Sequence, residues 1–488
     1  MRAIRWSLVI TLGHPMSLAQ IVLLAHAVLA LMTALHTLLY KRDPRAAFGW
    51  IGVCLVLPLL GPLLYVMFGL NRARGRAQRL GVSRFRVGYE RGQAPKMDGA
   101  AEGSLTAEHH NLTRVGQALS RHALSQNNQV ETLIDGDQAY PAMLTAIEGA
   151  HSHILLSTYL LDNDKTGQQF TQALSAAAKR GVDVRLLLDG IGDWYSRPRA
   201  SLRLRGSGVQ VARFLPPRLL PPSLSINMRN HQKNFVVDDR IGFTGGMNIG
   251  DRHCLNLDHN SRPTQDLHFR VVGPVVAQMR SEFIRLWQFT TGRTDAPPEL
   301  LATEAGDLAC RALADGPDED LDKLTVLLCA ALAEARRSVR IMTPYFLPPR
   351  ELVAAMQTAA IRGVKITLVL PAHNNLPYVH WATRNMLWEV LLHGVRVVYQ
   401  PPPFNHAKLL VIDHDYSLVG SANWDPRSLR LNFELQLEIY GRSFARSLIR
   451  YIDQAADRGR EVTLEEVDQR SLPVRARDAV CWLFTPYL

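Results

Sequence analysis

The stretch HQKNFVVD, residues 231–238, recurs later in the chain as HAKLLVID, residues 406–413. Both copies have the pattern H-x-K-x-x-x-x-D, and a turn rich in small residues follows each. The residues that follow at matching positions are Gly245, Gly246 and Asn248 in the first copy and Gly420, Ser421 and Asn423 in the second. Each second-copy residue lies 175 positions after its counterpart (406 against 231, 423 against 248). This constant spacing predicts a duplicated domain.

The sequence around the first copy alternates strand-like and helix-like segments. Strands are predicted at 130–133, 154–160 and 182–188, and helices at 139–149 and 166–180. Residues 178–184 (AKRGVDV) are echoed by residues 360–366 (AIRGVKI), and Thr158-Tyr159-Leu160 is echoed by Pro344-Tyr345-Phe346. The alternation and the echoes together predict an α/β fold built from two copies of one domain.

Each H-x-K begins an apolar strand, so that the side chains of His231 and Lys233, and of His406 and Lys408, project from one face of their strand. Asp238 and Asp413 each lie five residues after the lysine, so their side chains do not share the face of the strand that carries the histidine and the lysine. Each also stands at the end of its strand before a turn, which favours a bracing role for these carboxylates. The following short strands, 241–244 and 417–419, return the Gly-Gly and Gly-Ser turns to the site. Glycine lets backbone N–H groups approach an anion, and the asparagine amides add donors.

Two imidazoles, two ammonium groups and two amides suit a phosphodiester bound between the two domains. One neutral histidine can attack phosphorus while the other, protonated, gives its proton to the leaving alcohol, after which the roles reverse. The lysines neutralise charge on the non-bridging oxygens. Each histidine also needs an orienting partner, for which Asp266 and Glu434 are candidates. The spacing leaves open which histidine is the nucleophile.

A metal site and a cofactor are not expected. Lysine is not a usual metal ligand, and no carboxylate cluster accompanies the histidines. The five cysteines are scattered and form no C-x-x-C, so they indicate neither a disulfide framework nor a thiolate site.

The net charge of +11 is concentrated at the N-terminus. Residues 1–100 contain 13 basic and 3 acidic side chains, a net +10, which leaves +1 for residues 101–488. Nucleic-acid binding needs a basic surface along several nucleotides. The near-neutral remainder therefore disfavours a membrane-tethered nuclease.

Two uncharged apolar runs predict a transmembrane hairpin in residues 1–71. The spans are expected at about 17–40 and 46–70, each long enough to cross hydrocarbon about 30 Å thick. Pro58, Gly61 and Pro62 should kink the second span. A cleaved signal peptide is the alternative for the first run, because an A-x-A-like site is present at 25–27. The arginines of the basic juxtamembrane segment and linker, 72–112, favour a cytoplasmic location for the remaining chain.

The paired motifs, the apolar hairpin, Tyr159, Tyr345 and the run NWDPRS at 423–428 resemble the phospholipase D superfamily and, within it, bacterial cardiolipin synthases. The resemblance implies two tandem phospholipase D-like α/β sandwich domains, 113–300 and 301–488, with the active site at their interface. It implies transfer of a phosphatidyl group between two phosphatidylglycerol molecules in the bacterial inner membrane, without a metal. It also implies that His231 is the nucleophile and His406 the acid.

Two departures from the family pattern stand out. Gly246 occupies the position at which the second copy has Ser421, and the run His373-Asn374-Asn375 lacks an acidic residue that relatives often carry there. The second departure bears on contacts to the acceptor alcohol.

Several alternatives remain open at this stage. A phospholipase D would use water as acceptor, a phosphatidylserine synthase would use a nucleotide-activated lipid and serine, and a scaffold would be inactive. Phosphatidylethanolamine is an alternative donor lipid, and the oligomeric state is unknown. The Pro-rich segment 215–222 is either an apolar lip that dips into the membrane surface or a packed surface loop.

Overall fold

The computed structural model describes residues 17–41, 44–69, 109–217, 228–258, 260–300, 303–317 and 322–485. It divides into two compact units, residues 1–72 and 73–488. Most of the Pro-rich segment 215–222 lies outside the described residues, as does most of the segment 72–112.

The N-terminal unit contains an apolar helix followed by a broken one. Helix α1 (Leu18–Tyr40) begins at a capping box formed by Ser17 and Gln20, and it is long and apolar enough to span a membrane. The predicted second span is not one helix. It consists of α2 (Pro44–Val56), α3 (Leu60–Leu64) and a π-helical turn (Tyr65–Gly69). The kink predicted from Pro58 is confirmed as a complete break over residues 57–59.

Histidines of α1 bond to the broken segment within this unit. The Leu59 N–H donates to Nδ1 of His26, and Nε2 of the same ring lies 3.3 Å from the Leu55 carbonyl oxygen. Nδ1 of His36 lies 2.7 Å from the hydroxyl of Tyr65. His26 therefore bonds to backbone groups at the break in the second helix, and His36 pairs with a side-chain hydroxyl beyond it.

The larger unit is built on a continuous sheet. Its strands are β1 Ser125–Ile134, β2 His153–Thr158, β3 Asp183–Asp189, β4 Gln210–Phe214, β5 Asn234–Val237, β6 Ile241–Gly245, β7 Thr264–Gln265, β8 Leu267–Val272, β9 Leu308–Asp315, β10 Ser338–Met342, β11 Lys365–Pro371, β12 Arg396–Gln400, β13 Phe404–Asn405, β14 Leu409–Ile412, β15 Tyr416–Gly420, β16 Glu434–Tyr440 and β17 Arg460–Val462. The order is β17-β12-β11-β10-β14-β15-β16-β9-β1-β8-β6-β5-β2-β3-β4, while β7 and β13 pair separately.

Helices pack on both faces of the sheet. They are α4 His110–Leu119, α5 Asp135–Glu148, α6 Lys165–Lys179, α7 Gly192–Tyr195, α8 Ala200–Arg203, α9 Val275–Thr291, α10 Lys323–Glu334, α11 Arg350–Ile361, α12 Pro377–Leu391, α13 Pro426–Arg430, α14 Arg442–Asp457, α15 Leu464–Asp468 and α16 Leu472–Leu483. A short 3₁₀ turn spans Asp251–His253.

The strand order is nearly palindromic about the antiparallel β1–β9 pair. β8, β6, β5, β2, β3 and β4 on one side correspond in order to β16, β15, β14, β10, β11 and β12 on the other. The two motif strands, β5 and β14, therefore occupy equivalent places in the two halves. The predicted duplication and α/β fold are confirmed, whereas the exact boundary at residues 300 and 301 stays a prediction.

Alternation along the motif strands explains the layers of the fold. Val236 and Val411 face one apolar core that the two halves share and that α9 and α14 cover. Phe235 and Leu410 face the opposite side, each in a separate core of its own half. Because successive side chains point to opposite faces, a strand buried on both faces must be apolar throughout.

Candidate active site

Backbone hydrogen bonds dock each motif onto the opposite half of the molecule. The His231 N–H donates to the Phe433 carbonyl at 3.0 Å, and the His406 N–H donates to the Gln265 carbonyl at 2.7 Å. In both cases the accepting residue immediately precedes a carboxylate, Glu434 or Asp266. The register of these contacts therefore brings a carboxylate of one domain to the histidine of the other.

Each histidine pairs with that carboxylate. Nδ1 of His231 lies 2.9 and 3.0 Å from the two oxygens of Glu434, and Nδ1 of His406 lies 2.9 Å from Oδ2 of Asp266. Both carboxylates are fully buried. The structure thus brings together all four of these residues, which the sequence could name but could not pair.

The second nitrogen of each ring has no such partner. Among the residues that the structure describes, no hydrogen bond involves Nε2 of His231 or of His406. Pairing through Nδ1 fixes the orientation of each imidazole. It leaves two ring nitrogens free to react with a substrate in a site to which both halves contribute.

Burial makes the neutral form of both histidines more favourable. Burial lowers the pKa of His231, although the nearby Glu434 acts to raise it. Burial also lowers the pKa of His406 well below its ordinary range, and the nearby Lys408 and Lys233 add to that shift. The pKa of Glu434 also lies below its ordinary value, because His231 and its hydrogen bonds more than offset the effect of burial.

The motif lysines are buried beside the histidines. Nζ of Lys233 donates to the His231 carbonyl at 2.8 Å. Nζ of Lys408 lies 2.9 Å from Nδ1 of His406 and also bonds to the His406 carbonyl. Burial lowers the pKa of Lys233 to about 7, although the nearby Glu434 acts to raise it. Burial likewise lowers the pKa of Lys408 to about 8, although the nearby Asp266 acts to raise it. A bound anion would stabilise their charged forms.

The small residues after the motifs pack against the carboxylates. The Ser421 hydroxyl donates to Glu434 at 2.6 Å, whereas a Cβ atom at Gly246 would lie 2.4 Å from Oδ1 of Asp266. The shorter aspartate therefore occupies space that the serine side chain fills in the second copy. This contact gives the departure at Gly246 a physical reason.

The backbone of these turns is engaged in the sheet. The N–H groups of Gly246 and Ser421 donate to the carbonyls of Leu267 and Leu435. These two N–H groups are therefore not free to bind an anion, contrary to what the sequence predicted. Gly245 and Gly420 have φ angles of 147° and 155°, and a Cβ atom at Gly420 would lie 2.3 Å from the Leu435 carbonyl oxygen.

The two asparagines after the turns are placed differently. Nδ2 of Asn423 donates to the Ser428 hydroxyl at 3.2 Å, whereas the backbone carbonyl of Asn248 accepts from Tyr140. The side-chain oxygens of Asn248 and Asn423 are buried without a hydrogen-bond partner. Because an amide can present either end to its neighbours, each asparagine has unused capacity to bind a ligand.

The motif aspartates lie at the far end of their strands, where they accept backbone hydrogen bonds. Asp238 accepts from the N–H groups of residues 151–153, all at 2.8 Å. Asp413 accepts from those of residues 336–338, at 2.7 to 3.1 Å. Both aspartates have positive φ angles and close the turn after the strand. This geometry supports a bracing role for both.

The structure adds residues that the chemistry of the motifs did not predict. The ring of Tyr159 lies edge-on to His231 with centroids 5.8 Å apart, and Tyr345 has the same relation to His406 at 6.1 Å. The buried Asp189 accepts from the N–H of Asn230, the residue before His231. The repeat of residues 158–160 at residues 344–346 is the feature of the sequence that singles out these two tyrosines.

The comparisons with known proteins agree with this architecture. The family model described as "Cardiolipin synthase, PLD-like domain" matches residues 143–287 and 328–456, and "Phospholipase_D-nuclease N-terminal" matches residues 28–69. The chain therefore belongs to the cardiolipin synthase family of phospholipase D-like proteins.

Similar proteins cover nearly the whole chain. The major cardiolipin synthase ClsA of Bacillus subtilis is 30% identical over 97% of this chain and 100% of its own length. Cardiolipin synthase A of Pseudomonas putida (strain GB-1) is 32% identical over 90% of this chain and 92% of its own. The crystal structure of a phosphatidylserine synthase from Haemophilus influenzae covers 77% of this chain and 100% of that chain, with a TM-score of 0.58 and 16% identity. The last likeness concerns the fold alone.

Proposed function

We propose that this protein transfers a phosphatidyl group from one phosphatidylglycerol molecule to another, giving cardiolipin and free glycerol. The observation that carries the proposal is the pair of Nδ1-anchored histidines, His231 and His406, each held by a carboxylate of the other domain. The names of the relatives supply the lipid substrate class, and the paired imidazoles supply the phosphodiester chemistry.

In the first step, Nε2 of His231 attacks the phosphorus of phosphatidylglycerol. A P–N bond forms, the bond from phosphorus to the headgroup glycerol oxygen breaks, and that oxygen takes a proton from Nε2 of protonated His406, which becomes neutral. Glu434 stabilises the positive charge that develops on the His231 ring. The protonated side chains of Lys233 and Lys408 offset the charge on the non-bridging oxygens.

In the second step, neutral His406 removes the proton from a hydroxyl of a second phosphatidylglycerol. The resulting oxygen attacks phosphorus, the P–N bond breaks, and cardiolipin leaves with His231 neutral again. A catalyst that passes its proton back and forth in this way needs no net supply of acid or base.

The contacts at Nδ1 of both histidines suit the steps proposed for Nε2. Both oxygens of Glu434 lie within 3.0 Å of Nδ1 of His231, so that ring donates through Nδ1 and keeps a lone pair on Nε2. Lys408 Nζ lies 2.9 Å from Nδ1 of His406. Oδ2 of Asp266 lies at the same distance from Nδ1, and this carboxylate stabilises the imidazolium that gives its proton through Nε2 and then holds the remaining proton on Nδ1.

The chain resides in the bacterial inner membrane as a multi-pass protein with its catalytic domains in the cytoplasm. The length of α1 and the apolar helices after it support this topology, as do the arginines of residues 72–91. A fluorescent protein fused after residue 488 should be bright in the cytoplasm. A reporter active only outside the membrane would contradict the orientation.

The activity test uses purified protein in mixed micelles of phosphatidylglycerol whose headgroup glycerol is isotopically labelled. Cardiolipin and labelled glycerol in equal amounts are expected, and phosphatidylethanolamine can be added as an alternative donor, which would release ethanolamine. Phosphatidic acid would indicate a hydrolase, phosphatidylserine from a nucleotide-activated lipid and serine would indicate a phosphatidylserine synthase, and no turnover would indicate a scaffold.

The covalent step is tested by quenching turnover with alkali and mapping the phosphatidyl adduct by mass spectrometry. The adduct should lie on His231, and both His231→Ala and His406→Ala should abolish cardiolipin formation. An adduct on His406 alone would reverse the assigned roles.

A further inference from the structure

Residues 192–205, called the Trp194 platform below, form a small surface next to His231 that the mechanism does not use. The platform consists of the short helices α7 and α8 and the turn between them. It exposes large apolar side chains to solvent: Trp194 is 43% exposed, Tyr195 67% and Leu202 58%. Exposed aromatic and aliphatic side chains this close together are typical of an interaction surface.

Arginines surround these apolar side chains. Arg197 and Arg205 are exposed, and the guanidinium group of Arg199 lies 4.9 Å over the ring of Trp194. Within the described part of the chain, no carboxylate pairs with Arg197, Arg199 or Arg205. The one acid of the platform, Asp193, is buried. The surface therefore carries uncompensated positive charge around exposed apolar side chains.

Polar contacts hold the platform in place. The Asp193 carboxylate accepts from the backbone N–H and the hydroxyl of Ser201 and so joins α7 to α8. The Asn163 amide donates to the Arg197 carbonyl at 2.9 Å. The exposed aromatic rings are therefore carried by a braced structure.

Other hydrogen bonds connect the platform to His231. The buried carboxylate of Asp189 accepts from the N–H groups of Ile191 and Gly192 and also from Asn230, which precedes His231. A Cβ atom at Gly192 would lie 1.8 Å from the carbonyl oxygen of Tyr159. Because the ring of Tyr159 lies against His231, the platform stands at the edge of the active site.

We infer that the Trp194 platform docks on the surface of an anionic phospholipid bilayer and presents lipid headgroups to His231. The inference rests on the proposed function, because it takes the substrate to be a bilayer lipid. Tryptophan, tyrosine and arginine are the side chains that prefer the boundary between headgroups and hydrocarbon. The arginines complement the negative charge of phosphatidylglycerol.

A nucleic acid would also attract arginines and aromatic rings, but it fits this surface less well. Binding along a strand needs a basic track over several nucleotides, and residues 101–488 carry a net charge of only +1. Leu202 adds an aliphatic side chain that suits hydrocarbon. The same chain also carries α1, which is apolar enough to hold it at a membrane.

Fluorescence quenching tests the docking without catalysis. The full chain is reconstituted into bilayers of phosphatidylcholine and phosphatidylglycerol, with or without bromine on the phosphatidylglycerol acyl chains. The contribution of Trp194 is the difference between wild type and Trp194→Phe, and bromine should quench it. The matched control is Trp388→Phe, since Trp388 is 45% exposed on α12 in the other half of the molecule and its contribution should remain unquenched.

Kinetics test the consequence for the reaction. The measured quantity is the ratio of turnover on vesicles to turnover on monomeric dihexanoyl phosphatidylglycerol. This ratio should fall on the order of tenfold in Arg197→Gln/Arg199→Gln and in Trp194→Ser/Tyr195→Ser. Lys179→Gln/Lys365→Gln removes two exposed charges, one just before β3 and one at the start of β11, and should leave the ratio unchanged.

Two results would overturn the inference: a Trp194 contribution that bromine does not quench, or a vesicle ratio equal to that of wild type in both platform variants. The platform would be assigned to nucleic acid instead if wild type bound an oligonucleotide, the platform variants lost that binding, and bromine did not quench the Trp194 contribution. If wild type formed no cardiolipin, the proposed function would fail, yet quenching would still decide whether the platform touches the bilayer.

Discussion

Replacing Glu434 with glutamine tests the contact between the two domains at His231, the proposed nucleophile. The carboxylate is fully buried and accepts hydrogen bonds from His231, from the Ser421 hydroxyl and from the Asn432 amide. Glutamine has nearly the same shape but is neutral, and one end of it is a donor. The amide can therefore satisfy only part of this set of three donors.

The expected loss follows from the hydrogen bond to His231. A bond to a charged acceptor contributes about 1.5–3 kcal/mol, and each 1.36 kcal/mol in the barrier is a factor of ten in rate. Loss of the charge alone should lower kcat by about 10- to 100-fold. If the amide also selects the wrong tautomer of His231, the loss should approach about 10⁴-fold.

Stability should change with a defined pH dependence. The pKa of Glu434 lies below its ordinary value of 4.5 in the folded protein. A depressed acid stabilises the fold above the unfolded pKa and loses that contribution as pH falls through the folded pKa. The difference in unfolding free energy between wild type and Glu434→Gln should therefore be present at pH 7 and should shrink below about pH 4.5.

The matched control is Glu282→Gln. Glu282 is also buried and also accepts from a histidine, with Nε2 of His122 3.0 Å away, and it pairs with Arg285. This variant should lose stability of the same order while kcat stays within about threefold of wild type. Cardiolipin formation is measured at a temperature where both variants are folded. A kcat for Glu434→Gln within threefold of wild type, or an equal loss in the control, would refute the reasoning.

Three further predictions concern other parts of the site. Gly246→Ala should lower kcat on the order of tenfold or more in the micelle assay, because the new methyl group meets the Asp266 carboxylate at about 2.4 Å and must displace it; wild-type kcat would contradict this. Asp413→Asn should lower the free energy of unfolding by about 1–3 kcal/mol in urea titrations yet leave kcat within about threefold, and loss of kcat in the folded variant would instead indicate a catalytic role. The pH profile of kcat/KM should fall as pH rises through about 7 to 8, because the buried side chains of Lys233 and Lys408 lose their protons there; a flat profile to pH 9 would show that their charge is not needed.

Local patterns in the sequence predicted most of the fold. The motif strands β5 (Asn234–Val237) and β14 (Leu409–Ile412) begin directly after each H-x-K, as the apolar runs indicated. The duplication was visible because its spacing is constant. These features depend on neighbours in sequence, where side-chain alternation and turn residues act directly.

The exchange of carboxylates could not be predicted, because it depends on pairing between distant segments. Asp266 and Glu434 were candidate partners, but their assignment follows from β7 lying beside β13 and from the Phe433 contact to His231. The contacts of Gly246 could not be predicted from the sequence either. Its role as space for the Asp266 carboxylate appears only when β6 and β8 are side by side.

The exchange has a consequence for how the site is assembled. His231 and Glu434 come from different halves, as do His406 and Asp266, so neither half contains a complete histidine–carboxylate pair. The nearly palindromic sheet gives the two halves the relation of subunits in a two-fold dimer, joined here in one chain. A chain with a single copy of this domain would have to dimerise about the same axis to orient either histidine. Duplication therefore makes the site independent of protein concentration, and it permits differences such as Gly246 against Ser421 that an identical pair could not have.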